Sequence, residues 1–184
     1  MPKITAEHSL PGDPGPAETL ARFLRVDHAG EYGAQRIYQG QLAVLRGTKY
    51  APALRHMQAQ EQVHFDRFTQ LIGERQVRPT ALLPLWHVAG FALGAATALL
   101  GPKAAMACTV AVEETIDEHY RDQQAALGDE EAPLREEIER FRQEELEHRD
   151  IGLENGAEQA PAYRLLTAAI RAGCKLAIKA SERI

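Results

Sequence analysis

Apolar residues recur at three-, four- and seven-residue steps over four long stretches of the chain, the spacing of one face of an α-helix. The first stretch runs from about residue 17 to 46, with Leu20, Leu24, Ala34, Tyr38, Leu42 and Leu45 on its stripe, and stops at Gly47. The second, about 52 to 74, carries Leu54, Met57, Phe68 and Leu71. The third, about 102 to 127, carries Met106, Val110, Tyr120 and Leu127 and stops at Gly128. The fourth begins between Asp129 and Pro133 and ends by Gly152, with Leu134, Ile138, Phe141 and Ile151. A fifth helix follows Pro161 and continues towards Ile184. The pattern predicts an all-α protein.

Charged residues interrupt those apolar stripes in register. Glu31 sits on the first, Glu61 and His64 on the second, Glu113 on the third, and Glu145 and His148 on the fourth. A carboxylate facing a core is very costly without a partner. Six such positions call for a shared one. A lone glutamate followed about thirty residues later by Glu-x-x-His, twice over, is the ligand order of a dinuclear site inside a four-helix bundle. Residues three apart share a helix face, so Glu61 and His64 can reach one metal, as can Glu145 and His148. Oxygen and imidazole donors without thiolate fit iron or manganese better than structural zinc. Asp27, Asp66, Asp117 and Asp150 are candidates to hold the far nitrogens of the imidazoles.

The two halves repeat. With Glu31 set over Glu113, Tyr38 falls over Tyr120 and Gln41 over Gln123. With Glu61 set over Glu145, His64 falls over His148 and Asp66 over Asp150. This register selects Glu113 over its neighbour Glu114, and Glu145 over Glu144 and Glu147. The expected fold is a ferritin-like four-helix bundle of two similar hairpins.

Between the hairpins, Ala81–Leu100 carries no formal charge. By length it could span a bilayer. A single span, however, would put the two hairpins on opposite sides and separate the ligands. We therefore read it as a long apolar crossover between helices two and three, lying in a membrane interface or over a bundle face. The last helix is amphipathic, with Arg164, Arg171, Lys175, Lys179 and Arg183 beside Tyr163, Leu166, Ile170 and Leu176. Such a face suits an anionic membrane surface.

Composition changes this picture little. The chain has 184 residues, enough for one domain, here residues 17–184 behind a flexible tail at 1–16. A net charge of −5 gives no basic field for nucleic acid. Cys108 and Cys174 make no disulfide framework. The Pro/Gly-rich start lacks the features of a mitochondrial transit peptide, which favours a bacterial protein or a processed chain.

Several blocks resemble the demethoxyubiquinone hydroxylase family: Arg25–Gln41, Val77–Gly101, Ala105–Ile116, Glu144–Glu154 and the C-terminal AGCKLAIKASERI. The likeness covers residues 20–184, and the family's ligands fall on Glu31, Glu61, His64, Glu113, Glu145 and His148. The resemblance implies a carboxylate-bridged di-iron monooxygenase, with two iron ions favoured over manganese. It would place one atom of O2 on the ring of a polyprenyl quinol, with reducing equivalents from NADH. No Gly-rich Rossmann fingerprint is present to hold a nicotinamide. The resemblance also implies a peripheral location on the cytoplasmic face of a bacterial inner membrane, or the matrix side of the mitochondrial one. It allows a lipid-binding accessory protein and a homo-oligomer as partners. Tyr120 and His119 are expected near the metals, managing protons or electrons. A ferroxidase on the same bundle is the main alternative, and a dimanganese peroxide-decomposing enzyme is another.

Overall fold

The computed structural model describes residues 14–184; the tail expected at residues 1–16 lies, for residues 1–13, outside the described residues. Six α-helices account for most of them: α1 (Pro16–Leu45), α2 (Ala51–Glu74), α3 (Leu83–Leu99), α4 (Pro102–Ala126), α5 (Ala132–Glu154) and α6 (Tyr163–Ser181). Each of the first five has proline in its first turn. There the missing N–H costs nothing and the fixed φ favours helix. The turn from α3 into α4 uses Gly101 at φ 122°, a conformation that a side chain would strain.

Helices α1, α2, α4 and α5 form the bundle, as the stripes predict. α1 pairs with α2, and α4 with α5. Two apolar clusters fill the ends. One contains Leu45, Leu54, Met57, Ala105, Met106 and Val110. The other contains Leu24, Phe68, Leu71, Leu134, Ile138 and Phe141. Leu54, Met57, Met106 and Phe141 are fully buried, and each large apolar side chain contributes roughly 1.5–3 kcal/mol.

The crossover α3 runs along α1, and the contact is backbone to backbone. A Cβ on Gly94 would lie 2.0 Å from the Ile37 carbonyl oxygen, and one on Gly40 would lie 2.2 Å from that of Phe91. Gly90 likewise faces the Gly33 carbonyl at 2.8 Å. Around this seam, Arg36 lies over the Phe91 ring and Tyr32 hydrogen-bonds His87 Nδ1 at 2.6 Å. α6 packs on α4 and α1. Its C-terminal end is tied down by Trp86 Nε1 donating to Ser181 Oγ at 3.1 Å and by Arg25 donating to the Glu182 carbonyl at 3.0 Å.

Two cations of the basic face of α6 make ion pairs with the bundle. Arg171 pairs with Glu114 and Lys175 with Glu118, both on α4. Those two cations secure the helix to the bundle. Arg164 and Lys179 on it, and Arg183 just beyond its end, are exposed. Among the described residues, no helix is long and apolar enough to cross a membrane.

Candidate metal centre

All six expected ligands lie between the two apolar clusters, and none is more than 4% exposed. They form two overlapping groups: Glu31, Glu61, His64 and Glu145; and Glu61, Glu113, Glu145 and His148. In each group one atom per residue lies within 4.8 Å of the others. Glu61 and Glu145 belong to both groups. The lone glutamates sit at the two outer ends, Glu31 with His64 and Glu113 with His148.

The donor atoms converge without satisfying one another. His64 Nδ1 lies 2.9 Å from Glu145 Oε1 and 3.5 Å from Glu31 Oε2. His148 Nδ1 lies 3.0 Å from Glu145 Oε2 and 3.3 Å from Glu61 Oε1. Yet Glu61 Oε1, Glu145 Oε2 and both Nδ1 atoms are buried with no hydrogen-bond partner. Buried polar atoms are rarely left so. A pair of divalent cations among them would satisfy all four, so the residues present fit a dinuclear metal centre.

The electrostatics agree. Burial, reinforced by the other carboxylates, pushes Glu61 and Glu113 well above the usual carboxyl range. Burial pushes Glu145 the same way, but the two imidazoles beside it prevail and hold it at about 2. His64 resists burial through Glu145 and Glu31 and rises to about 12. Bare, the site balances its charge with protons; bound cations would displace them.

Partners outside the cluster are arranged by the pseudo-two-fold. Tyr38 donates to Glu113 at 2.9 Å, and its repeat mate Tyr120 donates to Glu31 at 2.5 Å. Each tyrosine thus crosses to the lone glutamate of the opposite hairpin. His119 lies 3.2 Å from Asp27, and Gln123 donates to the same Asp27 oxygen at 2.6 Å. His119 therefore reaches the site through neighbours rather than by touching a ligand carboxylate.

None of the four aspartates expected to hold the imidazoles does so. Asp66 accepts from Gln62, Asp117 from Arg142, and Asp150 from Arg149. Asp27 belongs to His119 and Gln123. Instead, His64 Nε2 meets Glu144 at 2.7 Å, and His148 Nε2 meets Gln60 at 2.9 Å. Both occupy the position just before the glutamate of the opposite Glu-x-x-His unit. The repeat held this signal, since Gln60 falls over Glu144. Glu114, set aside as a ligand, pairs with Arg171 on the far side of α4.

A cavity of about 530 Å³ opens between α1, α3, α4 and α6, with an almost wholly apolar lining. Gly30 and Ala34, near Glu31 in the chain, line it, as does Val112 beside Glu113. The cavity and the carboxylate cluster thus occupy neighbouring faces of the same two helices.

The sequence model of the ubiquinone biosynthesis protein COQ7 family matches residues 18–181. A 3-demethoxyubiquinol 3-hydroxylase of Rhodospirillum rubrum is 65% identical over 181 residues, covering 98% of this chain and 85% of that protein. The human NADPH-dependent 3-demethoxyubiquinone 3-hydroxylase, a mitochondrial protein, is 56% identical, covering 89% of this chain and 77% of its own. A mitochondrial 5-demethoxyubiquinone hydroxylase of Saccharomyces cerevisiae is 41% identical, covering 91% and 79%. The family model spans almost the whole chain, these relatives match it over most of its length, and the chain belongs to the COQ7 family of ubiquinone-biosynthesis proteins.

Proposed function

We propose that this chain is a di-iron monooxygenase that hydroxylates the ring of a demethoxyubiquinol in ubiquinone biosynthesis. The observation that carries the reading is the buried set of four glutamates and two histidines whose inward atoms lack partners. Glu31 and His64 would hold one iron, Glu113 and His148 the other, with Glu61 and Glu145 shared. Two irons there would supply O2 activation and storage of two electrons.

The chain's own residues supply the rest. Tyr38 and Tyr120 hold the terminal glutamates by their hydroxyls, fixing where each carboxylate points. Tyr120, bonded to Glu31, and its chain neighbour His119, nearer the surface and bonded to Asp27, would serve proton delivery from the partly exposed edge of α4. The end clusters keep bulk water out.

The substrate we assign to the apolar cavity is a polyprenyl quinol. A cavity of about 530 Å³ with little polar lining suits a ring and the first isoprene units, whose transfer from water is driven by area buried. The remaining tail would stay in lipid. Leu85, Val88 and Leu99 on α3, Leu100 just after it, and Leu165 and Leu176 on α6 are exposed and support docking on a membrane surface. The location we propose is therefore the face of a cell membrane, or of the inner mitochondrial membrane. Electrons would come from a reduced nicotinamide; the sequence reading favours NADH, and the human relative is named NADPH-dependent.

The test is turnover by iron-loaded chain of a short-tailed demethoxyubiquinone with O2 and either nicotinamide. Hydroxylated product with one atom from 18O2 is expected. Iron oxidation and mineral accumulation without product would favour the ferroxidase instead.

A further inference from the structure

The two metal positions have the same kinds of ligand but different support, and the difference nearest the imidazoles lies in one pair of residues. Each position has two shared glutamates, one terminal glutamate and one histidine through Nδ1. Each terminal glutamate accepts from one tyrosine. The far nitrogens differ. His64 Nε2 faces the Glu144 carboxylate at 2.7 Å, while His148 Nε2 faces the Gln60 amide at 2.9 Å. Asp27, one helical turn before Glu31, is a second difference, since Thr109 stands at the matching place before Glu113, but His119 and Gln123 rather than a ligand engage it.

The consequences follow from hydrogen bonding. A carboxylate only accepts, so Glu144 keeps a proton of His64 on Nε2 and leaves Nδ1 as the nitrogen that faces the cluster. The anionic partner also makes the imidazole a stronger donor to a cation. A glutamine can accept through its oxygen or, with the amide turned, donate through its nitrogen. Gln60 presents Oε1 and so favours the same tautomer of His148, but an amide that can turn fixes it less firmly than a carboxylate does. It also adds no negative charge.

We infer that Glu144 and Gln60 are positioning residues that make the two metal positions unequal, so that the position beside His64 fills first and holds its ion more tightly. This rests on the reading of the six buried residues as a di-metal site. It adds an order of loading and names the residues that set it.

Cobalt(II) titrated into the metal-free full-length protein tests this by calorimetry, with anomalous diffraction from crystals given one equivalent. Two binding steps separated by about 10- to 100-fold in affinity are expected, with the first ion beside His64. Glu144→Gln should bring the steps together, and Gln60→Glu should tighten the second. The exchange Glu144→Gln with Gln60→Glu should move the first ion to His148. Circular dichroism of each metal-free variant checks that it folds. Should the exchange not fold, Gln60→Glu alone decides by whether the second step tightens. Equal steps in the native chain, or a first ion beside His148, overturn the inference. So does an exchange that leaves the ion beside His64. A folded native chain that binds no cobalt overturns the di-metal reading itself.

Discussion

At the scale of single residues, the site places four carboxylates where an apolar core would be more stable. Glu113 is 2% exposed, and burial and Glu145 raise its pKa well above the usual range. The metal-free protein must bury that proton or that charge. Glu113→Gln removes the charge, keeps the shape and can still accept from Tyr38. It is expected to raise the melting temperature of the metal-free protein by about 2–4 °C for each kcal/mol of relief. The same variant should lose an ion and its hydroxylation activity. Iron content, product yield and calorimetry on one preparation check all three. The tyrosines give a paired test. Tyr38→Phe and Tyr120→Phe each remove one hydrogen bond to a terminal glutamate, worth about 1–3 kcal/mol when the acceptor is charged. If both serve only to hold carboxylates, their effects on turnover match. We expect Tyr120→Phe to slow turnover more, because Tyr120 alone adjoins His119 and Asp27.

At the scale of elements, the stripes and the repeat were legible because helical periodicity survives averaging over twenty or more residues. The predicted limits of α1, α2 and α4 fall within one residue of those observed, and the ligand register followed from them. Contacts between elements were less legible. Gly33, Gly40, Gly90 and Gly94 form the α1–α3 seam, but nothing in their spacing along two separate helices says that they meet. Glu144 was considered only as a rival ligand, since an acidic run does not tell which carboxylate turns in and which reaches across. Arg171 and Lys175 read as membrane-facing cations because their partners, Glu114 and Glu118, lie some 57 residues away. The seam makes a sharp prediction. At Gly94 even a methyl group would meet backbone atoms of Ile37, which cannot move aside as a side chain can. Gly94→Ala should cost about 1–3 kcal/mol or more. It should lower the melting temperature accordingly, while Gly33→Ala, with open space around its Cβ, should change little.

For the whole molecule, buried groups with high affinity for protons set a limit at alkaline pH. Burial raises Cys108 from an ordinary 9.0 to about 12, and Cys174 to about 11. Tyr38 and Tyr120 are pushed well above 10.0 for the same first reason. Above pH 9 the unfolded chain gives up the thiol protons while the folded chain keeps them. The unfolded state then binds fewer protons, so stability falls as pH rises. Each thiol contributes a slope of about 1.4 kcal/mol per pH unit, until pH passes its folded value. The melting temperature should therefore decline steadily from pH 9 to 11, and less steeply in Cys108→Ala. Below pH 9 the thiols stay protonated in both states and contribute no slope.

Membrane docking also belongs to the whole surface, because α3 and α6 contribute to it together. Leu85 and Val88 are 53% and 65% exposed, and Leu165 and Leu176 are 74% and 70%. Arg164 and Lys179 on α6 and Arg183 just after it are exposed, and they do not share the ion pairs that Arg171 and Lys175 make with α4. Apolar area alone would bind neutral and anionic vesicles alike. Cations near an anionic surface add about 1 kcal/mol each, and salt screens that share. The full chain should therefore sediment with phosphatidylglycerol-containing vesicles more strongly than with phosphatidylcholine alone, and the difference should shrink in high salt. Lys179→Glu with Arg183→Glu should weaken anionic binding by about 30-fold or more, the equivalent of two such contributions. Leu85→Ser with Val88→Ser should weaken binding to both vesicle types. Turnover of a short-tailed, water-soluble quinone should survive all four changes, whereas turnover of a long-tailed quinone in vesicles should fall with binding. Loss of both activities together would place these residues in the substrate path rather than on a docking face.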